Sequence, residues 1–302
     1  MNILNLLKII RLHIVTGGFL AFSLGTLLAI VGGGSFDPAR FVLGYVVVFL
    51  ADLSTHYGND YFDVEVDKYV EKKKFFAGSG ILVNNPDLRL LSKFVSLALL
   101  VGSNVLATMI VVFLGFPIEF FIVILGASLV GWFYSAPPVR LISRGFGEIA
   151  VAFVIGFAIP GLGYLGVRGQ FDPLFVYFVI PFILYGLTLS LSLHAPDVEV
   201  DRMGNKRNLT VRLGQRRSFL LILAMVSSAT LTFCIYSFQN AFLIVDFGMI
   251  VLFSVIPLVA GLIGFVGFFK KEVNYFSALN VAALFVFNII MITYLLFLVL
   301  AV

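Results

Sequence analysis

Nine long apolar stretches constrain this chain more than any other feature of its sequence. They lie near residues 11–31, 40–60, 90–114, 117–135, 147–166, 173–193, 217–238, 241–267 and 276–301. A helix needs roughly 20 apolar residues to cross the ~30 Å hydrocarbon core of a bilayer. In lipid, backbone polar groups must be satisfied within the segment itself, so runs of this kind fold as helices. Only 12% of the 302 residues are charged and 61% are hydrophobic, whereas soluble domains carry roughly 25% charged residues. The expectation is an all-α polytopic membrane protein, a single domain spanning 1–302 with about nine transmembrane helices in a bundle. The first run could pass for a signal peptide, but its length exceeds the ~7–15 residues of a signal core, so it reads as the first span. Pro160, Pro181 and Pro257 fall inside spans, where kinks are tolerated if neighbours satisfy the freed carbonyls. The lone cysteine, Cys234, excludes an internal disulfide.

Charge gives the orientation. Eighteen of the twenty Lys and Arg residues fall in loops on one side of the predicted bundle, and Arg40 and Arg168 alone face the other. Positive residues concentrate in cytoplasmic loops, which predicts a cytoplasmic N-terminus, an outer C-terminus and a multi-pass protein of the cell membrane. The same bias accounts for the net charge of +4 without a nucleic-acid partner. Two connections are long and polar, 61–89 and 194–216, and both are expected in the cytoplasm. Each follows an even-numbered helix and carries spaced aspartates at its start, a hint of a four-helix internal repeat.

Those aspartates are the chemically suggestive residues. In Asn59-Asp60-Tyr61-Phe62-Asp63-Val64-Glu65-Val66-Asp67, a continuing helix would place Asn59, Asp63 and Asp67 on one face. Asp197 and Asp201 repeat the spacing in Asp197-Val198-Glu199-Val200-Asp201. Like charges at i, i+4 repel, and a divalent cation would offset the repulsion. Carboxylate and amide oxygens suit Mg2+, which commonly bridges one or two carboxylates to substrate phosphates. The plainer alternative is that these are solvated residues at the membrane edge. Glu65 and Glu199 lie off the stripe and are read that way. Lys68 and Lys72–Lys74 follow the first set, and Arg202, Lys206 and Arg207 the second. They satisfy the positive-inside bias, and they also suit a diphosphate. A third segment, Trp132-Phe133-Tyr134-Ser135-Ala136-Pro137-Pro138-Val139-Arg140, ends helix four at the same side. Its Trp132 and Tyr134 can equally be interfacial aromatics. Within the spans Asp52 is the main acid, an intramembrane charge of the kind that marks function, and its partner is not legible.

Together these segments resemble the UbiA superfamily of intramembrane prenyltransferases. The first set matches its N-D-x-x-D-x-x-x-D pattern, the second its D-x-x-x-D, and Tyr134–Arg140 its Y-S-x-P-P-x-R/K segment. The resemblance implies two Mg2+ ions held by Asn59, Asp63, Asp67, Asp197 and Asp201 on the diphosphate of an isoprenyl donor. It implies that Lys68, Arg140, Arg202 and Lys206, with Arg11 and Ser135, meet the remaining diphosphate charge. Tyr134 and Asn59 would flank the allylic cation, and a Phe-lined tunnel would take the prenyl tail among membrane lipid. Residues 197–214 look most like menaquinone-type members, departing from their pattern at Asn208 and in the order around Thr210. The chain lacks the N-R-P-x-R-P stretch of hydroxybenzoate-type and ether-lipid members, and has Phe76–Gly80 there. Arg11-Leu12-His13 stands where many members have Arg-Pro, and His13 is read as structural. The expected acceptor is a bicyclic hydroxylated aromatic such as a dihydroxynaphthoate, in quinone biosynthesis, with a prenylated glycerol phosphate as the alternative. From other classes, an ion-coupled transporter would place its carboxylates nearer the midplane. A CDP-alcohol phosphotransferase would need a D-G-x-x-A-R motif that is absent.

Overall fold

A computed structural model describes residues 4–69, 79–239, 241–242, 244–267 and 272–301. Lys72–Lys74, Phe76–Gly78, Lys270, Lys271 and the side chain of His13 lie outside the described residues. Among the described residues there are no strands, and nine helices are long and apolar enough to cross a membrane. They are α1 (Leu12–Val31), α2 (Pro38–Phe62), α3 (Arg89–Leu114), α4 (Ile118–Ser135) and α5 (Gly147–Arg168). After these come α6 (Pro173–His194), α7 (Gln215–Phe238), α8 (Phe247–Gly267) and α9 (Val273–Ala301). Their outward faces carry large exposed hydrophobics such as Phe113, Leu231 and Phe297, as a lipid-facing surface requires. The bundle is the expected all-α polytopic membrane architecture.

Helices α2 and α6 are built alike. Each starts at an Asp-Pro pair whose aspartate, Asp37 or Asp172, accepts hydrogen bonds from two backbone N–H groups of the first turn. Each path ends at a second aspartate with nearly the same bent backbone, Asp63 at φ −96°, ψ 4° and Asp197 at φ −100°, ψ 6°. The sparsely populated bridge region recurs at corresponding places. The first site is therefore not one uninterrupted helix as expected. α2 stops at Phe62, and a four-residue helix, Val64–Asp67, follows the bend. The i, i+4 geometry survives, because Asp63 N–H still bonds Asn59 O and Asp67 N–H bonds Asp63 O.

Backbone contact sets the spacing of α1, α5 and α6. A Cβ on Gly25 of α1 would fall 1.8 Å from the carbonyl oxygen of Pro160, and one on Gly163 would fall 2.2 Å from that of Phe22. On the other side of α5, Gly156 abuts the backbone of Phe182 and Ile183, while Gly186 abuts Ala152. Small residues replace the missing hydrophobic drive in lipid by letting backbones touch. Residues Val154–Ala158 form a π-helical turn just before Pro160, an adjustment that accommodates an interior proline. At the far end from the aspartates, Arg40 donates to Leu114 O and Gly166 O and covers the Phe116 ring.

Candidate active site

The bent ends of α2 and α6 bring the two aspartate sets to one cavity of about 270 Å³. Asn59, Asp63, Asp67, Asp197, Asp201, Lys206, Arg11 and Tyr134 all line it. Deeper in, its walls are apolar and include Val48, Ile124, Val130, Val154, Ile159 and Leu162. A polar mouth thus opens into a greasy interior.

Lys206 joins the two sets. Its Nζ donates to Asp63 Oδ2 at 2.9 Å and lies 3.7 Å from Asp201 Oδ1. Burial works against its charge, but Asp63 and Asp201 outweigh burial and hold the ammonium above the ordinary lysine range. Local sequence explains the reach. Asn205 takes a left-handed turn at φ 55°, and Lys206 N–H returns to Asp201 O, which aims the side chain back at the carboxylates. Asn208 caps the helix Leu209–Leu213 and donates to Asp201 Oδ2 at 2.6 Å. Gly204 meets Val66 across the gap between the two loops. Burial first, and the neighbouring Asp60 and Asp63 second, push Asp67 up to about 7.

Other expected residues take different places. Ser135 donates to Asp63 Oδ2 at 3.3 Å and so positions an aspartate. Lys68 pairs with Glu65 and Arg202 with Glu199, both outside the cavity lining. Glu65 and Glu199 are 72% and 74% exposed, in line with their position off the stripe. Arg140 is exposed, at φ 47°, and does not line the cavity.

Arg11 and Tyr134 were expected here, but sequence reasoning missed the residues the structure sets beside them, Asp60, Ser79, His194 and Glu148. Arg11 Nη2 donates to buried Asp60 Oδ1 at 2.6 Å, while Ser79 donates to Asp60 Oδ2. The Nε–H of Arg11 has no hydrogen-bond partner among the described residues. Tyr134 Oη lies 3.1 Å from His194 Nε2. On the other ring edge, His194 Nδ1 is 4.0 Å from Glu148 Oε1, which accepts from Thr210 N–H. Glu148, wholly buried at the start of α5, could have been flagged as a charge at the head of an apolar run.

A model of the UbiA prenyltransferase family matches residues 19–289. This chain belongs to the UbiA prenyltransferase family. It is a multi-pass membrane prenyltransferase, which sets aside the transporter and phosphotransferase readings. Solved UbiA-family structures share the fold. A UbiA homolog from Archaeoglobus fulgidus bound to DMAPP and Mg2+ is 18% identical, with TM-score 0.66, covering 95% of this chain and 99% of that one. The apo UbiA homolog from Aeropyrum pernix K1 is 13% identical, with TM-score 0.68, covering 91% and 98%. A digeranylgeranylglyceryl phosphate synthase is 16% identical, with TM-score 0.67, covering 96% of each. A sequence search of curated proteins finds no match.

Proposed function

We propose that this UbiA-family chain is a Mg2+-dependent enzyme that moves an isoprenyl group from its diphosphate to a hydroxylated aromatic acceptor. The observation that carries this reading is the convergence of both aspartate sets, with Lys206 between them, at the mouth of an apolar cavity.

The donor set fits the metal. Asn59, Asp63, Asp67, Asp197 and Asp201 offer only oxygen ligands, the preference of Mg2+. Among the described residues no three His, Cys, Asp or Glu side chains are already arranged around one metal position. The Lys206 ammonium lies between Asp63 and Asp201. When bound, Mg2+ supplies positive charge to the diphosphate as the allylic C–O bond breaks.

The chain's own groups do the rest. Lys206 adds a fixed cation where the leaving group gains charge, a role that costs no reorganisation during reaction. The Tyr134 ring, held by His194, and the Asn59 amide flank the developing allylic cation. The apolar walls keep water from it. Arg11, with an unpartnered Nε–H at the cavity, suits an anionic group on the acceptor.

The lack of the N-R-P-x-R-P stretch that hydroxybenzoate-type and ether-lipid members share favours a bicyclic aromatic acceptor over both, and a carboxylated one would use Arg11. The synthase of similar fold is named for a digeranylgeranylglyceryl phosphate, and the Arg11 guanidinium suits a phosphate as well. The test supplies purified protein with Mg2+, geranylgeranyl diphosphate and either dihydroxynaphthoate or geranylgeranylglyceryl phosphate, and detects products by mass. Transfer to the naphthoate is expected. Transfer only to the glyceryl phosphate reverses the acceptor and leaves prenyl transfer standing.

A further inference from the structure

Two polar residues on α2, the buried His56 and the half-buried Asp52, lie apart from the aspartate sets and Lys206. His56 Nε2 lies 3.5 Å from Asp52 Oδ1, so the intramembrane acid that the sequence left without a partner has one, a single turn away. Both side chains line the cavity that holds the aspartate sets. Asp52, His56, Asn59 and Asp63 fall at i, i+4, i+7 and i+11, on one helical face. At ~1.5 Å per residue, Asp52 sits roughly 10 Å inward of Asn59.

That depth is where the walls are apolar, with Val48, Ile159 and Leu162 among them. Gly18 of α1 leaves room there, since even a Cβ would stop 3.9 Å from Asp52 Oδ2. His56 is 5% exposed and Asp52 22%, so the carboxylate is the member offered to the cavity, with the imidazole behind it. A carboxylate in an apolar, membrane-deep chamber costs free energy unless its acceptor oxygens are used. Contact with His56 at Oδ1 leaves Oδ2 on the side of Gly18, where the absent side chain keeps the approach clear.

We propose that the Asp52–His56 pair is the subsite for a hydroxyl group of an aromatic acceptor. The O–H donates to Asp52 Oδ2, and His56 fixes the carboxylate from the other side. An anionic group is repelled at this position and goes instead to the cations at the mouth, Arg11 and Lys206. The acceptor is thereby oriented end to end, with its anionic group outward and its hydroxyl inward. The inference rests on the prenyl-transfer reading and extends it to acceptor recognition.

The experiment compares 1,4-dihydroxy-2-naphthoate with its two monomethyl ethers, using Mg2+ and geranylgeranyl diphosphate. It measures product formation, diphosphate release and the KM for each substrate. Wild type should prefer the free hydroxyl to one of the ethers by about tenfold or more in kcat/KM, the scale of a lost hydrogen bond to a charged group. In Asp52→Leu that preference should shrink to within about threefold. Acceptor KM should rise, while donor KM and diphosphate release at saturating acceptor stay near wild type. Asp52→Asn, which preserves shape, should fall between the two, and it decides the matter if the leucine variant does not fold. An unchanged preference in a folded variant, or equal losses for donor and acceptor, overturns the subsite. Wild type that releases diphosphate but never prenylates the aromatic overturns the subsite and leaves donor activation intact. Wild type that releases none overturns both readings.

Discussion

Replacing Lys206 with Met keeps the length of the side chain and removes its charge. In the structure that charge lies 2.9 Å from Asp63 Oδ2 and 3.7 Å from Asp201 Oδ1, with the lysine side chain 13% exposed. At an effective dielectric near 20, charges so separated attract by about 6 and about 4 kcal/mol. Desolvating the ammonium offsets several kcal/mol of this, and removing one partner of a buried pair leaves a net loss of about 3–5 kcal/mol. Lys206→Met should therefore melt roughly 10 °C below wild type in EDTA, at ~2–4 °C per kcal/mol. Mg2+ should then close much of the gap, since a cation bound by the aspartates neutralises the charges that the substitution exposes. Thermal melting of detergent-solubilised protein across a Mg2+ titration measures both effects. Equal melting in EDTA, or a deficit that Mg2+ leaves untouched, would show that Lys206 does not hold the aspartates together.

Asp63→Ala and Asp197→Ala should each abolish Mg2+-dependent prenyl transfer while the purified proteins remain folded. Glu65→Gln and Glu199→Gln, at exposed positions, should stay within about twofold of wild type. Protons compete with the metal at Asp67, whose carboxyl is pushed up to about 7 by burial and by Asp60 and Asp63. The carboxyl binds a cation only when deprotonated, so the Mg2+ concentration for half-maximal activity should climb as pH falls from 8 to 6. Asp67→Asn should flatten that dependence. In a Cys234→Ser background, cysteines at Glu65 and Asn205 should react with an impermeant thiol reagent from the cytoplasm, and one at Gln170 from the opposite side. Labelling of all three from the same side would refute the orientation read from charge.

The spans were legible because lipid leaves a chain few choices, and the long apolar runs map onto α1 to α9 to within a few residues except at the start of α8. The aspartate face was legible because i, i+4 spacing persists even through the bend at Asp63. Lys68 and Arg202 fall outside the cavity lining for a geometric reason. Each immediately follows a site aspartate, which turns it about 100° away on a helix, and each finds a glutamate three residues back instead. Lys206 reaches the aspartates only through the turn at Asn205. The positive φ there is the kind of signal that an asparagine beside a glycine offers in sequence. The link from Tyr134 through His194 to Glu148 joins α4, α6 and α5, and no local pattern encodes a contact among three helices. Asp52 and His56 were within reach of the sequence, since their spacing is that of the aspartates themselves.

The contacts of Gly25 with Pro160 and of Gly163 with Phe22 bear on how such a protein can diverge. Main chain rests on main chain there, so the separation of α1 from α5 cannot be tuned by swapping one side chain for a slightly larger one. Any Cβ at residue 25 would have to drive the helices apart by more than 1 Å, to restore a contact of ~3 Å or more. New substrate preferences would then arise by recarving the other walls, on α2 and α4, within a frame whose gauge is inherited unchanged. Related chains with different acceptors should differ at positions such as 48, 52, 124 and 130 long before they differ at 25 or 163.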